Sequence, residues 1–157
     1  MKIFFVFVGD SRGEMLTPLG VRQAYKTADF LTEYFKEHGM EPKKACTVHS
    51  DEKNTSDCTK IIFDMLGPKK CFEADWLEEN SHTAHTELAR FYMKCFVEGF
   101  EAIVVVGHQR QLMDIVYGYE KQLSCTMQSI CFYRGGVYKI DVGARSIGLI
   151  FYPEQER

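Results

Sequence analysis

The residues able to do chemistry gather where two apolar runs give way to polar loops. In the first, "FFVFVGDSRGE", Phe7 and Val8 lead through Gly9 and Asp10 to Ser11 and Arg12. In the second, "AIVVVGHQR", the run ends in Gly107 and His108. Ser11 is a candidate nucleophile, because a hydroxyl in a loop after a strand can attack an ester once a base and oxyanion donors are beside it. The strand end places His108 in a pocket, with capping of the next helix as the plainer alternative. Glu78 and Glu79 follow Trp76-Leu77 and read as a solvated loop. His82 and His85 are spaced i, i+3 and could share a metal. No third ligand accompanies them, which favours surface histidines.

These groups must be positioned by regular elements, and the patterning supplies them. Residues 3–8, "IFFVFV", are apolar throughout and read as a strand buried on both faces. The next segment carries helix punctuation, with Thr17 as N-cap, Pro18 at the first helical position and Gly39 as the stop. Leu16 and Val21 are spaced for a hydrophobic staple, and Val21, Ala24, Tyr25, Ala28, Leu31 and Phe35 form the expected buried stripe. "ACTVHS" (45–50) reads as a strand, followed by a helix burying Ile61, Ile62, Met65 and Leu66 that ends at Gly67-Pro68. "KCFEA" reads as a short strand. A helix from about Ser81 to Gly99 is expected to bury Ala84, Leu88, Phe91, Tyr92, Cys95 and Phe96. The run 102–107 is a further buried strand, and the helix after it uses Leu112, Ile115, Val116 and Tyr119. "SICFYRGGVYKIDV" reads as a hairpin around Gly135-Gly136, with "IGLIFY" as a last strand. Alternating strands and helices predict an α/β fold with a mainly parallel sheet, whose sites lie at the carboxyl ends of strands.

Composition narrows the function classes. A chain of 157 residues is expected to form one domain, 1–157, and to bury roughly two-thirds of its unfolded surface. The net charge of −3 gives no basic footprint, which argues against nucleic-acid partners and against attraction to an anionic membrane. The apolar run at residues 3–8 is shorter than a signal-peptide core, and no segment approaches a membrane span. Six cysteines without a Cys-x-x-Cys pair fall largely in apolar segments, so a reducing, cytoplasmic location is expected. Nothing in the pattern calls for a cofactor.

Leu16, Thr17, Gly20, Gln23 and Ala24 fit the pattern L-T-x-x-G-x-x-Q-A, between the Gly9-Asp10 loop and the late Gly107-His108. In this order and spacing the chain resembles the histidine phosphatase superfamily (phosphoglycerate mutase-like), in its short phosphohistidine-phosphatase-like branch. The resemblance implies a three-layer α/β/α fold with a mainly parallel sheet and a C-terminal hairpin. It also implies a pocket in which a first histidine takes up a phosphoryl group while two arginines and a second histidine hold its oxygens. Aligned on Gly9-Asp10, the first arginine and the nucleophilic histidine fall on Phe7 and Val8. In "HSDEKNTSDCT" the second arginine falls on Asn54, and only His108 matches the family's central residues. Valine cannot accept a phosphoryl group. The resemblance therefore implies a degenerate site, catalytically inactive, that retains a small phosphorylated or other small ligand, or a protein partner. Its pocket would comprise Gly9, Asp10, Ser11, Arg12, Asn54, Gly107 and His108, with Arg12, His49 or Lys53 replacing lost charge. The alternative is a phosphatase acting on phosphate monoesters or phosphohistidine through a rearranged pocket that uses His108, with Glu78 and Glu79 falling near the place where the resemblance implies a proton-donating acid. Finally, "VGDS" resembles the first block of the GDSL/SGNH serine hydrolases. That family's Asp-x-x-His is missing, the nearest match being Glu79-x-x-His82 in mid-chain.

Overall fold

The computed structural model describes residues 1–123 and 131–156. Its elements, in chain order, begin with β1 (Lys2–Phe7), a two-residue hairpin of β2 (Ser11–Arg12) and β3 (Met15–Leu16), and α1 (Pro18–Glu37). Then come β4 (Ala45–His49), α2 (Lys53–Leu66), β5 (Lys70–Glu73), α3 (Ala84–Val97), β6 (Ala102–Gly107) and α4 (Gln109–Leu123). The antiparallel pair β7 (Val137–Asp141) and β8 (Ser146–Phe151) completes the fold. The six-stranded sheet has the order β5-β4-β6-β1-β7-β8. The first four strands are parallel, and β7 joins β1 antiparallel.

The all-apolar runs of β1 and β6 follow from their central position, since each is covered on both faces. Phe4 meets the rings of Tyr34 and Phe35 on α1, whereas Ile3, one residue away, packs by Leu88 and Tyr92 of α3 and Tyr119 of α4. Side chains alternate across a strand, so one face of β1 receives α1 and the other receives α3 and α4. α1 packs on α2, and α3 on α4. The result is a mixed α/β fold with a mostly parallel central sheet and a C-terminal antiparallel hairpin. Among the described residues, no helix is long and apolar enough to cross a membrane.

Several elements follow the sequence signals closely. Thr17 caps α1 by accepting the Gly20 N–H at 3.1 Å, with Pro18 opening the helix and Gly39 at φ +63° beyond its end. Gly67 closes α2 in the left-handed region at φ +75°. Leu112, Ile115, Val116 and Tyr119 are buried as the pattern predicts.

Other faces are turned. On α1, Val21 and Tyr25 are exposed, and Gln23 and Thr27 take the inward positions instead. Both polar side chains find partners there: Gln23 joins the loop after β1 to the C-terminal segment, and Thr27 donates to Gly135 O at 2.6 Å. Met65 of α2 and Phe96 of α3 are likewise exposed rather than buried, and α3 starts at Ala84. The last hairpin also differs. Its turn lies at residues 142–145, between β7 and β8, and Gly135-Gly136 instead lead the chain into β7. Of the expected first arm, Ser129 and Ile130 lie outside the described residues, as does Cys125.

Candidate functional site

The carboxyl ends of β1 and β6 lie side by side, because Phe7 pairs with Gly107 and the Val8 N–H donates to Gly107 O at 2.9 Å. A third segment closes against them: the Gly135 N–H donates to Phe7 O at 2.7 Å, and the Phe7 N–H donates to Gly136 O at 3.0 Å. The antiparallel insertion of β7 beside β1 thus carries residues 133–136 to the end of the first strand. A polar pocket of about 250 Å³ opens there, lined by Phe7, Glu79, Asn80, His108, Gln109, Arg110 and Arg134.

Each wall has an identifiable support. His108 is buried, its backbone N–H donating to Gln111 Oε1 at 2.9 Å. The Gln111 amide, also buried, donates to Glu78 O and Ser81 O at 2.8 and 2.9 Å, which ties the loop bearing Glu79 and Asn80 to the start of α4. The guanidinium of Arg134 lies over the Phe7 ring, 4.9 Å from its centre. Phe7 therefore lines the pocket and serves as a platform for a cation. The Arg134 backbone is held on both sides by Gln155, whose Oε1 accepts its N–H and whose Nε2 donates to its carbonyl, each at 2.9 Å. His108 Nε2–H donates to Glu52 Oε1 at 2.9 Å. Partial burial pushes the Glu52 carboxyl up, but hydrogen bonds from His108, Ser50 and the Glu79 backbone outweigh it and hold the group below the usual glutamate range.

The residues singled out in the sequence are distributed over several places. Phe7 and His108 line the pocket, and Gly107 stands in register with Phe7 on the neighbouring strand without lining it. Val8 has no exposed surface. Gly9 and Asp10 form the seat of α1. A Cβ on Gly9 would stand 2.7 Å from Gly20 O, and one on Gly20 only 2.0 Å from Asp10 O, so loop and helix meet backbone to backbone. Thr17 Oγ1 donates to Asp10 Oδ2 at 2.6 Å. The L-T-x-x-G-x-x-Q-A pattern thus has a mechanical reading here, since Thr17, Gly20 and Gln23 all grip this loop. Ser11 Oγ donates to Gly9 O at 2.9 Å and accepts from Asn54 Nδ2 at 3.3 Å, so it meets no base. Asn54 is buried at the start of α2, where its Oδ1 accepts the Thr55 N–H.

The three residues considered as substitutes for lost charge all lie elsewhere. Arg12 borders a separate apolar groove with Met15, Leu16 and Arg22. Lys53 pairs with Asp57 at 2.9 Å along α2. The His49 ring bonds to Ser50 O and to the Cys71 thiol, and the thiol contact raises its pKa. His85 turns onto α4, its ring 5.4 Å from that of Tyr119, and among the described residues no three His, Cys, Asp or Glu side chains could together hold a metal.

Sequence reasoning missed Arg110, Arg134, Gln111 and Glu52. Only Arg110 carried a local signal. It stands in the first turn of α4, where the helix dipole disfavours a cation.

No protein-family model and no curated protein sequence matches this chain. Solved structures do match it over nearly its whole length. The protein histidine phosphatase SixA complexed with tungstate superposes with a TM-score of 0.70 at 14% identity, over 96% of this chain and 95% of that one. A phosphoserine phosphatase from Entamoeba histolytica in complex with 3-phosphoglyceric acid gives 0.62 at 12% identity, over 98% and 96%. A mycobacterial glucosyl-3-phosphoglycerate phosphatase complexed with VO3 also gives 0.62 at 12% identity, over 96% and 98%. The chain has the phosphoglycerate mutase-like fold.

Proposed function

We propose that this protein binds a phosphoryl group or a similar oxyanion, borne by a small ligand, in the pocket at the carboxyl ends of β1 and β6, and does not transfer it to a histidine at the end of β1. The observation that carries this reading is the pocket lining. Arg110, Arg134 and His108 bring two permanent cations and an imidazole to one polar cavity. The position after Phe7 offers a buried valine where the resemblance calls for the nucleophile. Anion-holding groups are present without the group that would form a phosphoenzyme.

A second reading is favoured by the comparisons, because the similar solved structures are described as phosphatases. In it, the chain hydrolyses phosphate monoesters or phosphohistidine, with His108 as the reacting imidazole. The two readings divide on turnover. Purified protein is assayed with p-nitrophenyl phosphate and a phosphohistidine peptide beside His108→Ala, and inorganic phosphate binding is titrated by calorimetry. The binding reading expects saturable phosphate binding and no hydrolysis above the His108→Ala background. A rate abolished by His108→Ala would replace it with the phosphatase reading, and the absence of any phosphate binding would remove its basis.

A further inference from the structure

Glu52 is the N-cap residue of α2, yet its side chain makes no bond to its own helix. An N-cap side chain ordinarily accepts from the first helical turn. Here the carboxylate points the other way, and its Oε1 accepts three hydrogen bonds. Ser50 Oγ–H donates at 2.8 Å, His108 Nε2–H at 2.9 Å and the Glu79 backbone N–H at 3.1 Å. The donors come from the loop after β4, from the end of β6 and from the loop that Gln111 holds against α4. Three converging donors on one oxygen are what a protein builds around an oxyanion. His108 also lines the pocket bordered by Arg110 and Arg134.

The geometry points to an internal competitor: the Glu52 carboxylate fills the inner anion position beside His108, and an oxyanion ligand reaches His108 only by displacing it. This inference rests on the phosphoryl-binding reading above. The His108 Nε2–H is a single proton and cannot serve Glu52 and a ligand oxygen together at full strength. Glu52 keeps 22% of its side chain exposed, against 8% for His108, so the carboxylate is the partner with a route to solvent. A ligand therefore gains the three donors only after evicting a group of its own charge. Affinity for bare phosphate is held down as a consequence, and ligands with further contacts to the rim, at Asn80, Gln109 or the arginines, are favoured over the free ion.

The test is a calorimetric titration of inorganic phosphate into wild type, Glu52→Gln and Glu52→Ala, each checked for folding by circular dichroism. Imidazole 15N signals of His108 are followed in the same titrations. Glu52→Gln is nearly isosteric and covers the case in which the alanine variant fails to fold. The inference expects phosphate to bind at least tenfold tighter to Glu52→Ala and several-fold tighter to Glu52→Gln. It also expects the His108 Nε2 signal to move on phosphate addition in all three proteins. Binding by wild type that is unchanged or weakened in both variants would overturn the competitor role and leave the phosphoryl-binding reading standing, with Glu52 orienting His108. Absence of phosphate binding in all three proteins would overturn both.

Discussion

Arg134→Ala separates a cation that holds a ligand from one that merely packs. In the structure its guanidinium rests on the Phe7 ring at 4.9 Å, and its backbone is fixed by two hydrogen bonds to Gln155. The backbone clamp survives truncation of the side chain, so the cost to the fold is limited to the stacking. That contact is worth about 0.5–1 kcal/mol at a partly exposed site. For a domain of this size it corresponds to a melting-temperature loss of roughly 1–4 °C. Ligand binding should suffer far more. A hydrogen bond to a charged group contributes about 1.5–3 kcal/mol, so phosphate should bind roughly 10- to 150-fold more weakly to Arg134→Ala. Lysine restores the charge without the planar fork, and Arg134→Lys should recover only part of the loss. Calorimetry with inorganic phosphate at 0.15 M salt is the assay, since screening within about 8 Å suppresses effects that are only long-range. A phosphate affinity unchanged in a folded Arg134→Ala would refute the assignment of this cation to the site. A fall in melting temperature above about 10 °C would mark Arg134 as a structural arginine rather than a ligand-holding one.

Two further outcomes follow from groups outside the pocket. Gln23 is fully buried and joins Asp10 N to Glu154 O, at 2.8 and 2.7 Å. Gln23→Ala strips both of their partner and should cost roughly 2–5 kcal/mol in urea unfolding, where a loss below about 1 kcal/mol would count against the bridge. Burial pushes the exposed-strand thiol of Cys71 up, but its contacts with His49 and Thr47, together with the nearby His49 charge, outweigh this and hold it below the usual cysteine range. Cys71 should therefore be alkylated by iodoacetamide at neutral pH well before Cys58, whose buried thiol is pushed up to about 12. Because the thiolate is the reacting form, His49→Gln should move the pH profile of Cys71 alkylation upward, and an unmoved profile would show that exposure alone sets the rate.

How much of this was legible beforehand depends on the range of the interactions involved. The two central strands were readable because a strand covered on both faces must be apolar at every position, as residues 3–8 and 102–107 are. The ends of α1 were readable because capping is decided by Thr17, Pro18 and Gly39 within a few residues of each end. Gly107-His108 marked a strand end, and His108 lines the pocket there. The inward face of α1 was not legible. Gln23 and Thr27 look like surface residues until Asp10, Gly135 and Glu154 arrive from 13 to 131 positions away to satisfy them.

The same holds for the site. The sequence alone determined the elements, the two strand-end loops and the presence of His108 in one of them, since these depend on local periodicity and on residue type. The tertiary structure decided which charges share the pocket. Arg134 reaches Phe7 because β7 inserts antiparallel beside β1, and Glu52 reaches His108 because β4 and β6 are neighbours in the sheet. Arg12, five residues from Phe7, lies in a different groove because the β2–β3 hairpin carries it beside the start of α1. Nearness along the chain places a residue in an element. Only strand order and register determine which side chains meet.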